Sequence, residues 1–296
     1  MILLDGKETA LKVKNTIKEA VTKHKGNGQR VPNLVAVLVG DSKASLSYVK
    51  SKVKACNMVG FDSSLIHLET TITEKQLLDL VQKLNNDTAV DGYIVQLPLP
   101  KHIDENKILL AINPDKDVDG FHPINIGRLA LNLDTIIPAT PYGIITLLQE
   151  YNIETTSKNV VVIGRSNIVG RPMSILLSQN KPYGNATVTL AHSRTKNLKE
   201  ITQKADIIIA AIGKAHFVTA DMIKENAVII DVGINSIPDA SRKRGYRLVG
   251  DVDFANVSQK ASFITPVPGG VGPMTIAMLL KNTLHVYEKR IGMSIS

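Results

Sequence analysis

The chain has 296 residues, enough for one large domain or two of ordinary size without disulfide bonds. Its single cysteine, Cys56, excludes an intramolecular disulfide and a multi-cysteine metal site, and it is typical of a reducing compartment. The 35 basic and 27 acidic residues give a formal charge of +8, but the lysines are scattered, aromatic residues make up only 4% and tryptophan is absent. These features favour anionic small molecules over nucleic acid, because a surface that stacks bases needs aromatic side chains.

Apolar runs alternate with amphipathic stretches, which is the pattern of an α/β protein with parallel sheets. We predict buried strands at residues 35–39, 92–95, 160–163, 186–190, 207–210 and 228–231. Helices are predicted at residues 45–59, 74–86, 144–150, 172–178, 198–204 and 274–289. Because the strands are apolar throughout, we expect both faces of each sheet to be covered.

Two segments interrupt this pattern and predict the domain organisation. A proline-containing stretch at residues 135–151 precedes a new strand, and residues 265–273 are too rich in proline and glycine for a regular element. The last helix is then free to return to the first domain. We expect one α/β domain from residues 1–141 and 275–296 and a second from residues 142–274, separated by a cleft.

The first residues lack the basic start and long apolar stretch of a secretory signal. No run approaches the roughly 20 apolar residues of a membrane span. We therefore expect a soluble, cytoplasmic protein with no membrane partner.

A glycine-bearing turn follows the predicted strand at 160–163. Gly164, Ser166 and Gly170 form a G-x-S-x-x-x-G pattern before a predicted helix, where backbone N–H groups and the helix dipole can hold a pyrophosphate. The common dinucleotide signature is G-x-G-x-x-G, so an ordinary tight turn is the alternative. We predict a Rossmann-like dinucleotide-binding domain with this turn at its centre.

The end of the next strand addresses the adenosine ribose in such a domain. An acidic residue there grips the 2′-hydroxyl of NAD, but this strand ends in His192, Ser193 and Arg194. Ser193 and Arg194, with Arg165 from the first turn, suit a 2′-phosphate, because a guanidinium presents paired donors in a planar fork. The pattern favours NADP over NAD, with a solvated loop arginine as the alternative for Arg194.

Three segments of the first domain carry candidate site residues. Tyr48 and Lys52 lie four apart in a predicted helix and share a face, although spacing alone favours an ordinary surface lysine. Gln96 stands at the carboxyl end of a predicted parallel strand, where ligands bind in open α/β sheets. Asp119 lies in a charged loop, with a turn or capping aspartate as the alternative. No spacing of His, Asp and Glu resembles a metal site, and none supports a Ser-His-Asp triad.

Seven ordered segments, which run over nearly the whole chain, resemble the bifunctional methylenetetrahydrofolate dehydrogenase/cyclohydrolases. They are residues 45–52 (SLSYVKSK), 91–100 (DGYIVQLPLP), 116–123 (KDVDGFHP), 164–172 (GRSNIVGRP), 192–195 (HSRT), 228–235 (VIIDVGIN) and 265–275 (TPVPGGVGPMT). None is specific alone, but seven in this order are very specific jointly.

The resemblance implies two reactions of one-carbon metabolism. NADP oxidises 5,10-methylenetetrahydrofolate to the 5,10-methenyl form, which is then hydrolysed to 10-formyltetrahydrofolate. The first domain would bind the folate and the second NADP, in a homodimer.

The resemblance also implies residue roles. Tyr48 would lie against the folate, and Lys52 would be the key cyclohydrolase residue, held in place by Gln96. Asp119 would form a hydrogen bond with the pterin. Further substrate contacts are implied for Pro268, Gly269 and Gly270, and cofactor contacts for Gly164, Arg165, Ser166, Gly170, Ser193, Arg194 and Ile234.

The chain departs from the family pattern at two positions. Ala139 stands where cysteine is usual, and Ala215 stands where proline is usual. Neither has an implied catalytic role, so we expect small effects on packing and cofactor affinity. Two alternatives stay open: another two-domain NADP oxidoreductase similar to shikimate dehydrogenases, and a catalytically silent folate- or nucleic-acid-binding protein.

Overall fold

Parallel strands covered by helices build both halves of the protein. The structure, a computed structural model, describes residues 1–242 and 245–293. The chain divides into two units, which we name by their sheets. The three-stranded unit contains residues 11–139 and 276–296, and the six-stranded unit contains residues 1–10 and 140–275. Both are α/β with parallel sheets, which confirms the predicted fold class.

The sheet of the three-stranded unit has the order β3-β2-β4. Its strands are β2 (Asn33–Val39), β3 (Asp62–Leu68) and β4 (Gly92–Val95). Its helices are α2 (Lys43–Val59), α3 (Glu74–Asn86), α4 (Glu105–Ala111) and α5 (Pro123–Ala130), together with most of α1 (Gly6–Gly26) and α10 (Val271–Arg290). The central strand β2 is buried along six of its seven residues because helices and neighbouring strands surround it.

Helix α3 shows how the local sequence sets this unit's core. Thr73 and Gln76 form a capping box that satisfies N–H groups at the first turn. The helix then buries Leu77, Val81 and Leu84, which recur at helical spacing and pack in one cluster with residues of β2 and β4. The carboxyl ends of β2 and β4 are thereby held at one edge of the sheet.

The six-stranded unit has a parallel sheet of order β1-β11-β8-β7-β5-β6. Its strands are β1 (Ile2–Leu3), β5 (Asn159–Ile163), β6 (Thr187–Ala191), β7 (Ile207–Ala210), β8 (Val228–Asp231) and β11 (Phe263–Ile264), and β9 (Asn235–Pro238) with β10 (Tyr246–Val249) forms an antiparallel hairpin. Helices α6 (Ala139–Glu150), α7 (Gly170–Ser178), α8 (Leu198–Thr202) and α9 (Phe254–Val257) complete it. Because β6 and β7 flank β5 on opposite sides, the strand order reverses at β5, where doubly wound sheets bind ligands.

The observed division differs from the predicted one at the N-terminus. Strand β1 pairs with β11, and the hydroxyl of Tyr151 accepts a hydrogen bond of 2.8 Å from the Asp5 N–H. These bonds place residues 1–10 with residues 140–275 instead of in the first domain. From Ile276 onward, the last helix groups with residues 11–139. Among the described residues, no helix is both long and apolar enough to cross a membrane.

Candidate active site

Lys52 is buried, with only 4% of its surface exposed, although it lies between exposed lysines at positions 50 and 54. Helix α2 turns a stripe inward at positions 49, 52, 56 and 59, where Val49, Cys56 and Val59 are each at most 1% exposed. Lys52 occupies the one charged position of that stripe. The interpretation of Lys52 as an ordinary surface lysine is therefore wrong.

The Lys52 amine lies against both of the residues that the sequence pairs with it. Its Nζ donates a long hydrogen bond of 3.4 Å to Gln96 Oε1 and lies 4.7 Å from the centre of the Tyr48 ring, a cation–π distance. The Gln96 amide is oriented by its own neighbours: Nε2 donates to the Leu97 carbonyl at 2.7 Å, and the backbone N–H donates to Val37 O at 2.9 Å. The amide oxygen is thus presented to the amine at the carboxyl ends of β2 and β4.

Burial controls the proton affinity of this cluster. It lowers the pKa of the Lys52 amine, while the charge of Asp119 partly opposes that shift. Burial also raises the pKa of the Tyr48 hydroxyl, and Asp119 raises it further. Burial likewise raises the pKa of the Cys56 thiol to about 12, so this thiol is neutral near pH 7. The site combines an amine that loses its proton more readily than usual with a neutral phenol and thiol.

Asp119 is carried on a loop that a second carboxylate holds. Asp117 is 4% exposed and accepts hydrogen bonds from Gly120 N (3.1 Å), His122 N (2.7 Å) and Asn125 Nδ2 (3.1 Å). Burial, with the nearby charge of Asp119, raises the pKa of Asp117 to about 6 despite these donors. The sequence patterns do not single out Asp117, although its place two residues before Asp119 in the same loop is a usable signal.

Further contacts fix the same loop from behind. Asn282 Nδ2 donates to the carbonyls of Val118 and Ile137, each at 2.9 Å. The Ala139 N–H donates to the Asp119 carbonyl at 3.3 Å. This last contact uses only the backbone, so it does not depend on whether alanine or cysteine occupies position 139.

In the six-stranded unit, the turn after β5 is closed by its glycines. Gly164 has φ of +127°, and an added Cβ there would lie 2.1 Å from Ala211 O. A Cβ on Gly170 would lie 2.0 Å from Gly164 O. Strand, turn and helix α7 therefore approach more closely than any side chain would allow, so both positions require glycine.

The other residues predicted for the cofactor lie at the same edge of the sheet. Arg165, Ser193 and Arg194 are exposed at the ends of β5 and β6, and Ile234 is 63% exposed just before β9. The Ser166 hydroxyl accepts from Val169 N at 3.2 Å and so also shapes the turn.

His192 was not assigned a role from the sequence, but it sets the loop after β6. Its Nδ1 accepts from Arg194 N at 3.2 Å, and its backbone N–H donates to Thr195 Oγ1 at 2.9 Å. These bonds fix the backbone that carries Ser193 and Arg194.

The predicted substrate residues Pro268, Gly269 and Gly270 belong to the six-stranded unit, so they are not grouped with Lys52. Pro268 is exposed, whereas Gly269 and Gly270 are buried. A Cβ on Gly6, at the start of α1, would lie only 1.7 Å from Gly270 O, so the two backbones are in contact.

These features suit a phosphate-bearing dinucleotide. A glycine-closed turn leads into the nine-residue helix α7 at the point where the strand order reverses, and exposed guanidinium groups stand beside it. The six-stranded unit is therefore of the Rossmann-like, dinucleotide-binding class.

The chain belongs to the tetrahydrofolate dehydrogenase/cyclohydrolase family. The family's catalytic-domain model matches residues 4–119, and its NAD(P)-binding-domain model matches residues 138–291. The chain is 63% identical to the Bifunctional protein FolD of Flavobacterium johnsoniae over 98% of each sequence.

Solved structures agree with this assignment. The bifunctional FolD enzyme of Campylobacter jejuni superposes with a TM-score of 0.92 at 48% identity, covering 98% of this chain and 99% of that one. The Trypanosoma brucei dehydrogenase-cyclohydrolase, solved with NADP and an inhibitor, gives a TM-score of 0.93 at 37% identity over 99% of both chains. Family membership over nearly the full length decides against a shikimate-dehydrogenase-like enzyme.

Proposed function

We propose that this chain oxidises 5,10-methylenetetrahydrofolate with NADP and hydrolyses the resulting 5,10-methenyltetrahydrofolate to 10-formyltetrahydrofolate, an activity of one-carbon metabolism. The observation that carries the proposal is the buried Lys52 amine against Gln96 and Tyr48 in a member of this family. A Rossmann-like unit in the same chain supports the redox step.

In the first step, bound NADP⁺ supplies the hydride acceptor for the methylene carbon of the folate. The chain's own part is mainly positioning, because hydride transfer depends on close alignment of the two reactants more than on acid–base catalysis. Gly164, Ser166 and Gly170 would form the pyrophosphate turn, and Ile234 would line the cofactor site. Arg165, Ser193 and Arg194 would hold the 2′-phosphate, since guanidinium and hydroxyl donors pair with its oxygens.

In the second step, water adds to the methenyl carbon and loses one proton, which gives a neutral carbinol. The bond from that carbon to a ring nitrogen then breaks as the hydroxyl loses its proton to form the formyl C=O and the nitrogen takes up a proton. One proton is released overall. The Lys52 amine is suited to these transfers because burial lowers its pKa toward the working pH. Gln96 would orient the amine without adding charge.

The remaining residues would hold the folate. Tyr48 would lie against it, and Asp119, on the loop that Asp117 holds, would accept hydrogen bonds from the pterin. Pro268, Gly269 and Gly270 would add substrate contacts from the six-stranded unit. These roles rest on the family resemblance together with the burial and contacts described above.

A coupled assay tests the whole proposal. Purified protein receives methylenetetrahydrofolate and NADP⁺, and the formation of NADPH and the rise and decay of methenyltetrahydrofolate are followed together. NADPH formation followed by methenyl decay is the expected result. Binding of folate without either signal would contradict the proposal and favour a catalytically silent binding protein.

We further propose that the protein is a cytoplasmic homodimer. The family resemblance and the general frequency of twofold oligomers support the dimer, and a lone, buried, free thiol suits a reducing compartment. Light scattering on the purified chain tests the dimer, and a monomeric mass would contradict it.

A further inference from the structure

Asp251 is a fully buried carboxylate at the carboxyl edge of the large sheet, between β10 and α9. Its Oδ2 accepts from Ile212 N (2.8 Å) and Gly213 N (2.9 Å). Its Oδ1 accepts from Lys214 N and Asn235 Nδ2, both at 2.9 Å. All four donors converge on one side chain, so the carboxylate is fully satisfied although it is buried.

Those donors come from two segments beside the cofactor turn. Residues 212–214 follow β7, next to Ala211, whose carbonyl oxygen leaves no room for a Cβ on Gly164. Asn235 directly follows Ile234, the exposed residue assigned to the cofactor. The Asp251 carboxylate therefore links residues 212–214, which lie next to Gly164, to the segment that carries Ile234.

Asp251 is itself held by a second buried acid. Asp231, at the end of β8, accepts from Asp251 N at 2.9 Å and from Val252 N at 3.0 Å. A Cβ on Gly233 would lie 2.2 Å from Asp251 Oδ1, so this glycine leaves room for the carboxylate. The arrangement fixes both the position of Asp251 and the direction in which its oxygens point.

We propose that Asp251 is a positioning residue for the dinucleotide. It holds residues 212–214 and 234–235 in the conformation that receives NADP. The proposal rests on the function proposed above, in that NADP is the ligand of the six-stranded unit. Loss of this carboxylate weakens NADP binding and leaves hydrolysis of methenyltetrahydrofolate in place.

The test is Asp251→Asn in the full-length chain. An amide keeps the shape of the carboxylate, but its NH₂ group faces two of the four N–H donors and cannot accept from them. The expected result is a rise of about tenfold or more in both the NADP⁺ dissociation constant, measured by calorimetry, and the KM for NADP⁺. The rate of hydrolysis of added methenyltetrahydrofolate, measured without NADP⁺, should stay within about twofold of the parent.

Asp206→Asn is the matched control. Asp206 also accepts a backbone bond, from Asn159 N at 2.7 Å, and pairs with Lys224, but it lies at the amino ends of β5 and β7, the opposite edge of the same sheet. This variant should lose stability without changing NADP⁺ affinity. An equal loss of affinity in both variants would assign the effect to general loosening and overturn the proposal.

Unchanged NADP⁺ affinity in a folded Asp251→Asn variant would also overturn it. If that variant does not fold, Asn235→Ala decides, because it removes only one of the four donors. A rise of about threefold in the dissociation constant is then expected, and no rise refutes the proposal. If the parent binds NADP⁺ but turns over no folate, the proposed function fails while the comparison of dissociation constants still tests Asp251.

Discussion

Replacing Lys52 by methionine separates the two proposed reactions. Methionine has nearly the length of the lysine side chain, so it fills the buried position on α2 and removes little besides the amine. The losses are the 3.4 Å bond to Gln96 and the contact with the Tyr48 ring. The helix and its inward stripe are kept.

The expected effect on hydrolysis is large and the effect on stability is small. A positioned acid–base group typically contributes about 10²–10⁴-fold in rate, which corresponds to about 3–5 kcal/mol of transition-state stabilisation. Cyclohydrolase activity should fall by that factor. Appreciable dehydrogenase activity should remain, because that step depends on alignment of the two reactants.

The pH dependence of stability gives an independent readout. Burial lowers the pKa of Lys52 below the 10.5 of an unfolded chain, so the unfolded parent binds the proton more tightly. The stability of the parent therefore rises with pH between the lowered value and 10.5, a term that Lys52→Met lacks. The variant's advantage in free energy of unfolding should be greatest below that window and shrink across it.

The assay follows methenyl decay and NADPH formation separately for the parent, Lys52→Met and the control Lys50→Met. Position 50 is exposed on the same helix, so this control should leave both rates unchanged. Hydrolysis at the parental rate in a folded Lys52→Met protein would refute the assignment of Lys52.

Three further predictions address the cofactor turn and the buried acids. Arg165→Ala should weaken NADP⁺ binding far more than NAD⁺ binding, because only NADP carries the 2′-phosphate. The measurement is a titration of each cofactor, with Arg171→Ala, at another exposed arginine, as the control. An equal loss of affinity for NADP⁺ and NAD⁺ in Arg165→Ala would contradict the prediction. Gly164→Ala should lower the free energy of unfolding by about 2–5 kcal/mol in urea titrations, because its Cβ would strike Ala211 O at a φ of +127°. Gly28→Ala, which has a φ of +73° and nothing within 4 Å, should cost only about 1 kcal/mol, and equal losses would show that the Ala211 contact is unimportant. Burial raises the pKa of Asp117 from 3.8 to about 6, so its contribution to stability is present below pH 3.8 and is lost as pH rises through 6. Asp117→Asn should therefore reduce the fall in the free energy of unfolding across this pH range, while Asp231, whose pKa is raised in the same way, still contributes a similar fall. An unchanged pH dependence in the variant would contradict the prediction.

Buried strands and well-capped helices were predictable from the sequence. β4, β7 and β8 have the predicted bounds, and each is a mostly apolar run whose four residues are all buried. Helix α3 was likewise predicted in full, because its apolar residues recur at helical spacing between clear ends.

Elements at the edges were harder to predict. The patterns do not predict β3, whose polar residues reflect an edge strand with partly exposed faces, or α1, where lysines and threonines dilute the apolar stripe. β1 is only two residues long, and its strand character depends on a partner more than 250 residues away in the sequence. No local pattern encodes such a pairing.

The candidate site likewise has features that the sequence predicts and features that it does not. Helical spacing put Tyr48 and Lys52 on one face, and the end of a strand placed Gln96 at the ligand-binding edge, but burial of Lys52 depends on packing that spacing does not reveal. Asp117 and Asp251 were missed because their partners are mostly backbone N–H groups, and a sequence does not show which N–H groups are left without a carbonyl.

The pairing of β1 with β11 has a consequence for how the protein is made. Ile2 and Leu3 leave the ribosome more than 250 residues before their partners Phe263 and Ile264. The large sheet therefore cannot be completed until β11 has been synthesised, and β11 exposes an unpaired edge until β1 reaches it. Shortening the N-terminus by a few residues should leave that edge open permanently, so a tag or truncation there acts on the sheet of the cofactor unit rather than on a dispensable tail.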